Sequence, residues 1–264
     1  MIKVCGTGND FLVVNHLQTP AEPLPSGEEI SRLCHRHQGF GADGLVVLKP
    51  HSQYAFEWVF FNSDGSPAEM CGNAARAVSR YYAALTKKAQ FDFLTHKGAV
   101  HASVENPGDL SGDVLVKLPL WSKYESGKSF PGGNFDFVNS GVPHAVLSVE
   151  RLTDLEALKK TALQIKALPE FAKSGVNVTF KAPSLEAGKI HSVTFERGVE
   201  NFTLACGTGA IAAAVAESKA VTPFELIVQV PGGVLWVSSH GKDVLLKGEG
   251  RIIGECRPGV FHEP

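Results

Sequence analysis

The chain lacks the residue patterns that mark several large classes of protein. Its five cysteines, at positions 5, 34, 71, 206 and 256, are an odd number with no Cys-x-x-Cys pair. That argues against a disulfide framework and against a tetrahedral zinc site. No stretch reaches the ~20 apolar residues of a membrane span, and the opening MIKVCGTGNDF has no apolar signal core. Lys and Arg are nowhere clustered among aromatics. The formal net charge of −2 gives no electrostatic reason to expect nucleic acid or an anionic membrane surface. The expectation is a cytoplasmic chain with neither nucleic acid nor membrane as partner. What is present is ordinary: 44% hydrophobic and 20% charged residues over 264 positions. A sizeable core is available, and two domains of roughly 100–150 residues each are plausible.

The informative feature is that part of the chain is written twice. Cys71 stands in EMCGNAARAV and Cys206 in LACGTGAIAAAV, and each Cys-Gly pair opens an Ala- and Val-rich run suited to a helix. Gly98 in KGAVHASV and Gly233 in PGGVLWVSS are separated by the same spacing as the two cysteines. A looser third pair sets Gly8 in GTGNDFLVV against Gly141 in SGVPHAVL. Duplication in constant register predicts two similar halves. If the halves face each other about a pseudo-two-fold axis, two helix-start cysteines look across one cleft.

Short β-branched or aromatic segments bounded by turn residues predict strands at 10–14, 45–48, 55–61, 91–95, 99–104 and 114–118. The same texture returns at 136–139, 145–149, 177–181, 190–195, 226–230, 234–238 and 244–247. Residues 74–85 and 210–219 are apolar nearly all round, which predicts helices buried on every side. The expected fold is α+β: two pseudo-symmetric halves from internal duplication, each a mixed or antiparallel strand layer wrapped around a central Ala-rich helix. Ser26 to Glu29 and Thr153 to Glu156 match capping boxes and predict peripheral helices over 27–37 and from 153 to about 168. Residues 119–133, rich in Gly, Pro and Ser, read as the passage between halves. The expected division is 1–118, joined by a returning 252–264, and 119–251. Cys34, His35, Arg36 and His37 read as the basic end of a helix rather than a metal site, since distant ligands are missing.

A cysteine at a helix start has a chemical consequence. The first N–H groups of a helix have no internal partner, and the dipole places partial positive charge there. Such settings lower a thiol pKa from ~8.5 to about 3.5–7.5. Gly72-Asn73 and Gly207-Thr208 leave backbone N–H groups bare, able to hold a carboxylate. Each half thus offers a base and an anion cradle. For an amino acid lying between them, one thiolate removes the α-hydrogen while the opposing thiol protonates the other face. Charge building on the carboxylate meets fixed N–H dipoles. No Gly-rich phosphate loop with a lysine is evident for pyridoxal phosphate, so the thiols would work without that electron sink. GTGNDF lacks the third glycine of a dinucleotide fingerprint, and LACGTGA lacks the lysine of a P-loop. Cys5, Cys34 and Cys256 read as small buried hydrophobes.

Ordered blocks along nearly the whole chain resemble the diaminopimelate epimerase family. They are Gly6 to Phe11, Arg36 to Gly44, Phe61 to Ser66, Cys71 to Arg76, Gly141 to His144, Val176 to Val178, Glu196 to Gly198, Ala205 to Gly209 and Pro231 to Gly233. The resemblance implies two pseudo-symmetric halves and a cofactor-independent, metal-free epimerase taking LL-diaminopimelate to the meso form, in lysine and peptidoglycan precursor synthesis. It implies Cys71 and Cys206 as the proton-transfer thiols, with His144 assisting Cys71 and Glu196 assisting Cys206. It places Asn9, Asn62, Asn73, Asn177, Glu196 and Arg197 on the substrate, with backbone from Gly72, Gly207 and Thr208. Each Asn has a plainer reading as a turn residue, strongest for Asn62 in Asn-Ser-Asp-Gly. Arg197 carries the planar fork suited to a distal carboxylate. A homodimer is a family expectation.

The sequence departs from the family pattern at Val142, where many members have Asn, at Phe202, where an acidic residue is common, and at Ala172, where a Phe-Pro pair is usual. Val142 motivates an alternative, a racemase of the same mechanism for another amino acid. Two further readings are a redox protein cycling a Cys71–Cys206 disulfide and a non-catalytic binding module of the same fold.

Overall fold

The computed structural model describes residues 1–19, 22–68, 70–118, 122–240 and 243–257. The first three residues of the expected 119–133 passage, and 258–264 of the expected returning segment, lie outside them. The first half runs through β1 (Ile2–Gly6), β2 (Asn9–Asn15), α1 (Gly27–Cys34), β3 (Gly44–Lys49), β4 (Glu57–Asn62) and the short β5 (Pro67–Ala68). It continues with α2 (Gly72–Thr86), β6 (Gln90–Thr95), β7 (Gly98–Val104) and β8 (Ser111–Leu118). The second half opens with β9 (Lys123–Phe130), β10 (Gly133–Asn139), β11 (Pro143–Ser148), α3 (Leu155–Lys166), β12 (Asn177–Pro183) and β13 (Lys189–Glu196). The short β14 (Asn201–Phe202), α4 (Gly207–Glu217), β15 (Phe224–Val230), β16 (Gly233–His240) and β17 (Asp243–Glu255) complete it.

The two halves share one pairing scheme. In the first, β2 runs parallel to β3, β3 antiparallel to β4, and β4 parallel to β6. In the second, β11 runs parallel to β12, β12 antiparallel to β13, and β13 parallel to β15. Strand β17 serves both. Its Leu235-to-Ser239 partners lie on β16, while β8 and then β1 flank its other edge and its far end. Pairing of β1 with β17 closes β1, β2, β3, β4, β6, β7, β8 and β17 into an eight-stranded barrel. The fold is therefore the expected duplicated one, with a strand layer curled round a central helix in each half.

The core follows from strand alternation. In β2 and β3 the side chains of Phe11, Val13, Val46 and Leu48 point inward to α2, while Leu12, Leu45 and Val47 join Ile30 and Cys34 beneath α1. The second half repeats this with α3, whose Leu158, Ala162 and Ile165 cover Val178, Phe180, Val193 and Phe195. Small side chains let α2 and α4 pass through the strand wraps: Ala74, Ala75, Ala77 and Ala210 to Ala216 are buried. Both central helices have their cysteine at the N-cap in extended backbone, and the Cys206 sulfur accepts from Gly209 N–H.

Three local expectations are corrected. Helix α1 stops at Cys34, because the Nδ1 of His35 accepts from the backbone of His37 and Gln38 and turns the chain. Helix α3 is capped by the Asp154 carboxylate accepting from Ala157 N–H, not by Thr153. Residues 123–130, inside the expected passage, form β9 against β10.

Candidate active site

The starts of α2 and α4 abut. A Cβ added to Gly207 would lie 3.3 Å from the Gly72 Cα and 3.5 Å from Asn73 Oδ1. Leu246 of the shared strand β17 wedges beneath both, 2.8 Å from a Cβ on Gly72 and 3.1 Å from one on Gly207. Glycine suits both positions, because a Cβ on Gly207 would crowd the Gly72 Cα and one on Gly72 would push Leu246 aside. Cys71 and Cys206 precede these glycines, so the two sulfurs sit at one junction, close enough to perturb each other electrostatically. Asn73 joins the ends: its Nδ2 donates to Ala205 O at 2.9 Å and to Asn9 Oδ1 at 3.2 Å. Cys71 Sγ also reaches Asn9 Oδ1, at 3.8 Å.

The second half supplies the titratable side chains. The Glu196 carboxylate accepts from the Thr203 hydroxyl and faces the Cys206 sulfur. His144 is fully buried, sharing hydrogen bonds with Thr179 Oγ1 at 2.9 Å and Thr208 Oγ1 at 3.0 Å. Thr208 Oγ1 lies 3.4 Å from Cys206 Sγ, so the imidazole reaches that sulfur through one hydroxyl. Asn177 bridges His144, at 3.4 Å, to the backbone N–H of Arg197, at 2.9 Å. The exposed Arg197 guanidinium donates to Ser174 O. Asn62 stands apart from this cluster, its side chain closing a turn onto Ser66 Oγ at 3.0 Å.

Burial reverses one electrostatic expectation. It pushes the Cys71 thiol up to about 11, although the N–H groups of Ala74 and Asn73 and the Arg76 charge pull downward. Cys206 is raised well above the usual thiol range by burial and by the Glu196 charge, against the pull of Thr208 and Gly209 N–H. The helix ends act in the expected direction, but desolvation of a buried anion is the larger effect. Burial likewise raises the Glu196 carboxyl and, with the Arg197 charge, depresses His144 to about 3. At neutral pH His144 is therefore uncharged and both sulfurs are thiols.

Sequence reasoning missed several residues around the thiols. Thr7 and Arg76 lie within quoted blocks, Thr203 precedes the second thiol, and the Ser140 hydroxyl holds Thr208 O at 2.8 Å. Asp43, also within a quoted block, accepts from Asn9 and Arg36. Block membership alone pointed to Thr7, Asp43 and Arg76, and no block included Ser140 or Thr203.

Two thiols at abutting helix starts, inside a duplicated strand wrap, define the class: an isomerase of amino acids. The chain belongs to the diaminopimelate epimerase family, whose sequence pattern matches residues 1–117 and 137–252. It is 36% identical over 267 residues to diaminopimelate epimerase of a Nitratiruptor species, covering 99% of each chain. It is 37% identical to diaminopimelate epimerase of Helicobacter pylori, over 81% of this chain and 79% of that one. Among solved structures, a hydroxyproline epimerase from Agrobacterium vitis superposes with a TM-score of 0.69 at 15% identity, covering 96% and 88% of the two chains. A PhzF-family phenazine biosynthesis protein of Enterococcus faecalis gives 0.67 at 15% identity, covering 97% and 98%. At such identities these two show a shared fold. Among the described residues no helix is long and apolar enough to cross a membrane.

Proposed function

We propose that the chain converts LL-diaminopimelate to the meso form by proton transfer between Cys71 and Cys206 at the α-carbon. The observation that supports this is the close approach of Gly72 and Gly207, the residues that follow Cys71 and Cys206. One sulfur, as thiolate, takes the α-hydrogen; the other gives its proton to the opposite face. One C–H bond breaks and one forms, and the proton count is unchanged. The bare N–H groups of Gly72, Asn73, Gly207 and Thr208 face the α-carboxylate and stabilise the charge that builds on it.

Glu196 is the base that takes the Cys206 proton, since it faces that sulfur and burial raises its carboxyl above the ordinary carboxylate range. His144 acts on the same sulfur through Thr208, in place of the direct pairing with Cys71 that the family resemblance implies. Arg197, released from Ser174, grips the distal carboxylate, while Asn9, Asn62, Asn73 and Asn177 line the remaining polar end. In this reading 1–118 with the segment returning after 252 is the half that presents Cys71, and 119–251 the half that presents Cys206. The enzyme works in the cytoplasm as a homodimer and needs no cofactor.

Incubation with LL-diaminopimelate in D2O under reducing conditions tests this. Inversion with one solvent deuterium at the α-carbon is expected, and its absence rejects the proposal. A panel of free amino acids tests substrate choice: a preferred substrate without a second carboxylate refutes the role given to Arg197.

A further inference from the structure

Arg76, on the second turn of α2, is completely buried. Its three hydrogen bonds all run to neutral acceptors: Gly72 O at 3.2 Å, Asn73 Oδ1 at 2.8 Å and Thr7 Oγ1 at 2.9 Å. Its Nε has no partner. A buried cation held only by neutral groups costs stability unless the fold or the chemistry uses it. The duplication shows that the fold does not need it. Counted from the cysteine, the corresponding residue of α4 is Ile211, buried in the same kind of strand wrap. An apolar side chain therefore satisfies the packing at this place.

The bonds of Arg76 lead to the thiols. Asn73 can bridge Ala205 O and Asn9 Oδ1 only with its Nδ2 turned toward them, and the guanidinium on Oδ1 fixes that orientation. Ala205 immediately precedes Cys206, and Asn9 Oδ1 accepts from Cys71. We propose that Arg76 is a positioning residue for the reaction: it locks Asn73 across the two cysteine helices and sets a fixed positive charge beneath the Cys71 sulfur. This rests on the two-thiol reading above. The charge pulls the Cys71 thiol down, against burial and the Glu196 carboxylate of the other half, and Cys206 faces Cys71 from that same half. Cys5 on β1 and Asp113 on β8 face the guanidinium. Asp43, paired with Arg36, pins Asn9.

Two substitutions separate the charge from the fork. Arg76→Gln keeps an amide donor and removes the charge; Arg76→Lys keeps the charge and loses the planar guanidinium whose Nη2 donates to both Asn73 and Thr7 while Nη1 donates to Gly72 O. Two readouts apply to each: kcat against KM for α-carbon inversion, and the pH midpoint of iodoacetamide labelling at Cys71 and Cys206, mapped by peptide mass spectrometry. For Arg76→Gln the Cys71 midpoint rises while that of Cys206 stays, and kcat falls at least about tenfold with KM changed less. For Arg76→Lys the Cys71 midpoint holds at the wild-type value and kcat still falls. If Arg76→Gln does not fold, the Lys variant decides alone. Wild-type kcat in Arg76→Lys, or a loss carried entirely by KM, overturns the proposal. So does a folded Arg76→Gln with an unmoved Cys71 midpoint. Labelling needs no substrate, so a wild-type protein without epimerase activity would sink the functional reading while the Cys71 midpoint still judged Arg76.

Discussion

The two halves of the molecule share a backbone plan and differ in chemistry at nearly every position facing the thiols. Phe11 pairs with Gly44 across the parallel strands of the first half, and at the same place in the second half His144 pairs with Asn177. Phe61 faces Pro67 in the first, and Glu196 faces Asn201 in the second. The helices carry the reverse pattern. Asn73 and Arg76 follow the first cysteine where Thr208 and Ile211 follow the second, and the buried Arg80 of α2 answers to Val215 of α4. Cys206 is therefore addressed by Glu196 from the strand wrap and by Thr208 of its own helix, whereas Cys71 is addressed by Asn9 of β2, which Asn73 of α2 holds. A shared frame brings two cysteine-started helices to one junction; unequal surroundings give the cysteines unequal partners.

The mouths of the site differ as well. On one side the first loop packs against the opposite half, where a Cβ on Gly232 would lie 2.2 Å from Thr7 O. At the symmetry-related turn and loop, Gly98 and Gly141 face open space.

Removing either thiol is the strongest test of the comparison. Cys71→Ala and Cys206→Ala should each lose inversion by at least ~100-fold, the ordinary worth of a positioned acid or base, measured by deuterium incorporation from D2O. Undiminished turnover in either variant would contradict a two-sided mechanism. Glu196→Gln, which gives the second half an uncharged group as the first half has in Phe61, should lower kcat by roughly 10- to 100-fold. Since burial raises the Glu196 carboxyl, wild-type activity should decline with falling pH from above the ordinary ~4.3 of a glutamate, and the variant should lose that limb. A pH–rate profile without a Glu196-dependent limb would remove it as the base.

Packing asymmetry predicts a smaller effect. A Cβ on Gly209 would sit 2.2 Å from Thr194 Oγ1 and 3.2 Å from Cys206 Sγ, whereas Ala74 occupies the matching place in α2 without strain. Gly209→Ala should cost about 1–3 kcal/mol and displace the second thiol. Ala74→Gly should cost no more than about 1 kcal/mol, by helix propensity. Urea melts that ranked them the other way would refute equivalence of the two helix starts.

The smallest predicted effect is on stability against pH. The folded His144 is depressed to about 3, while the unfolded side chain takes up a proton near ~6.5. Stability from this group is thus complete above ~6.5 and declines as pH falls toward the folded value, because the unfolded chain then binds the extra proton. His144→Gln should show a flatter fall in urea midpoint between pH 7 and pH 5 than wild type. Parallel curves would mean that His144 is not held neutral by its surroundings.

Much of this was legible in the chain because duplication and alternation are local signals. The paired Cys-Gly starts, the all-round apolar helices and most strands could be marked from residue order alone. Strand β9 could not: KYESGKSF is polar at most positions, and its place comes from pairing with β10 rather than from burial of its own. Strand β1 escaped because IKVCG is short, and its partners β2 and β17 lie at opposite ends of the sequence. The hydroxyl between His144 and Cys206 was equally hidden, since His144, Thr208 and Cys206 approach one another only when the wrap closes.

Residue order by itself determined that there are two halves, that each turns on a buried Ala-rich helix, and that a cysteine begins each one, because these follow from periodicity and composition within short windows. Only the tertiary structure decided which groups address which sulfur and whether those sulfurs rest as thiols. Both depend on how deeply residues distant in sequence are buried together, and the desolvation of a charge is a property of that surrounding volume rather than of any local run of amino acids.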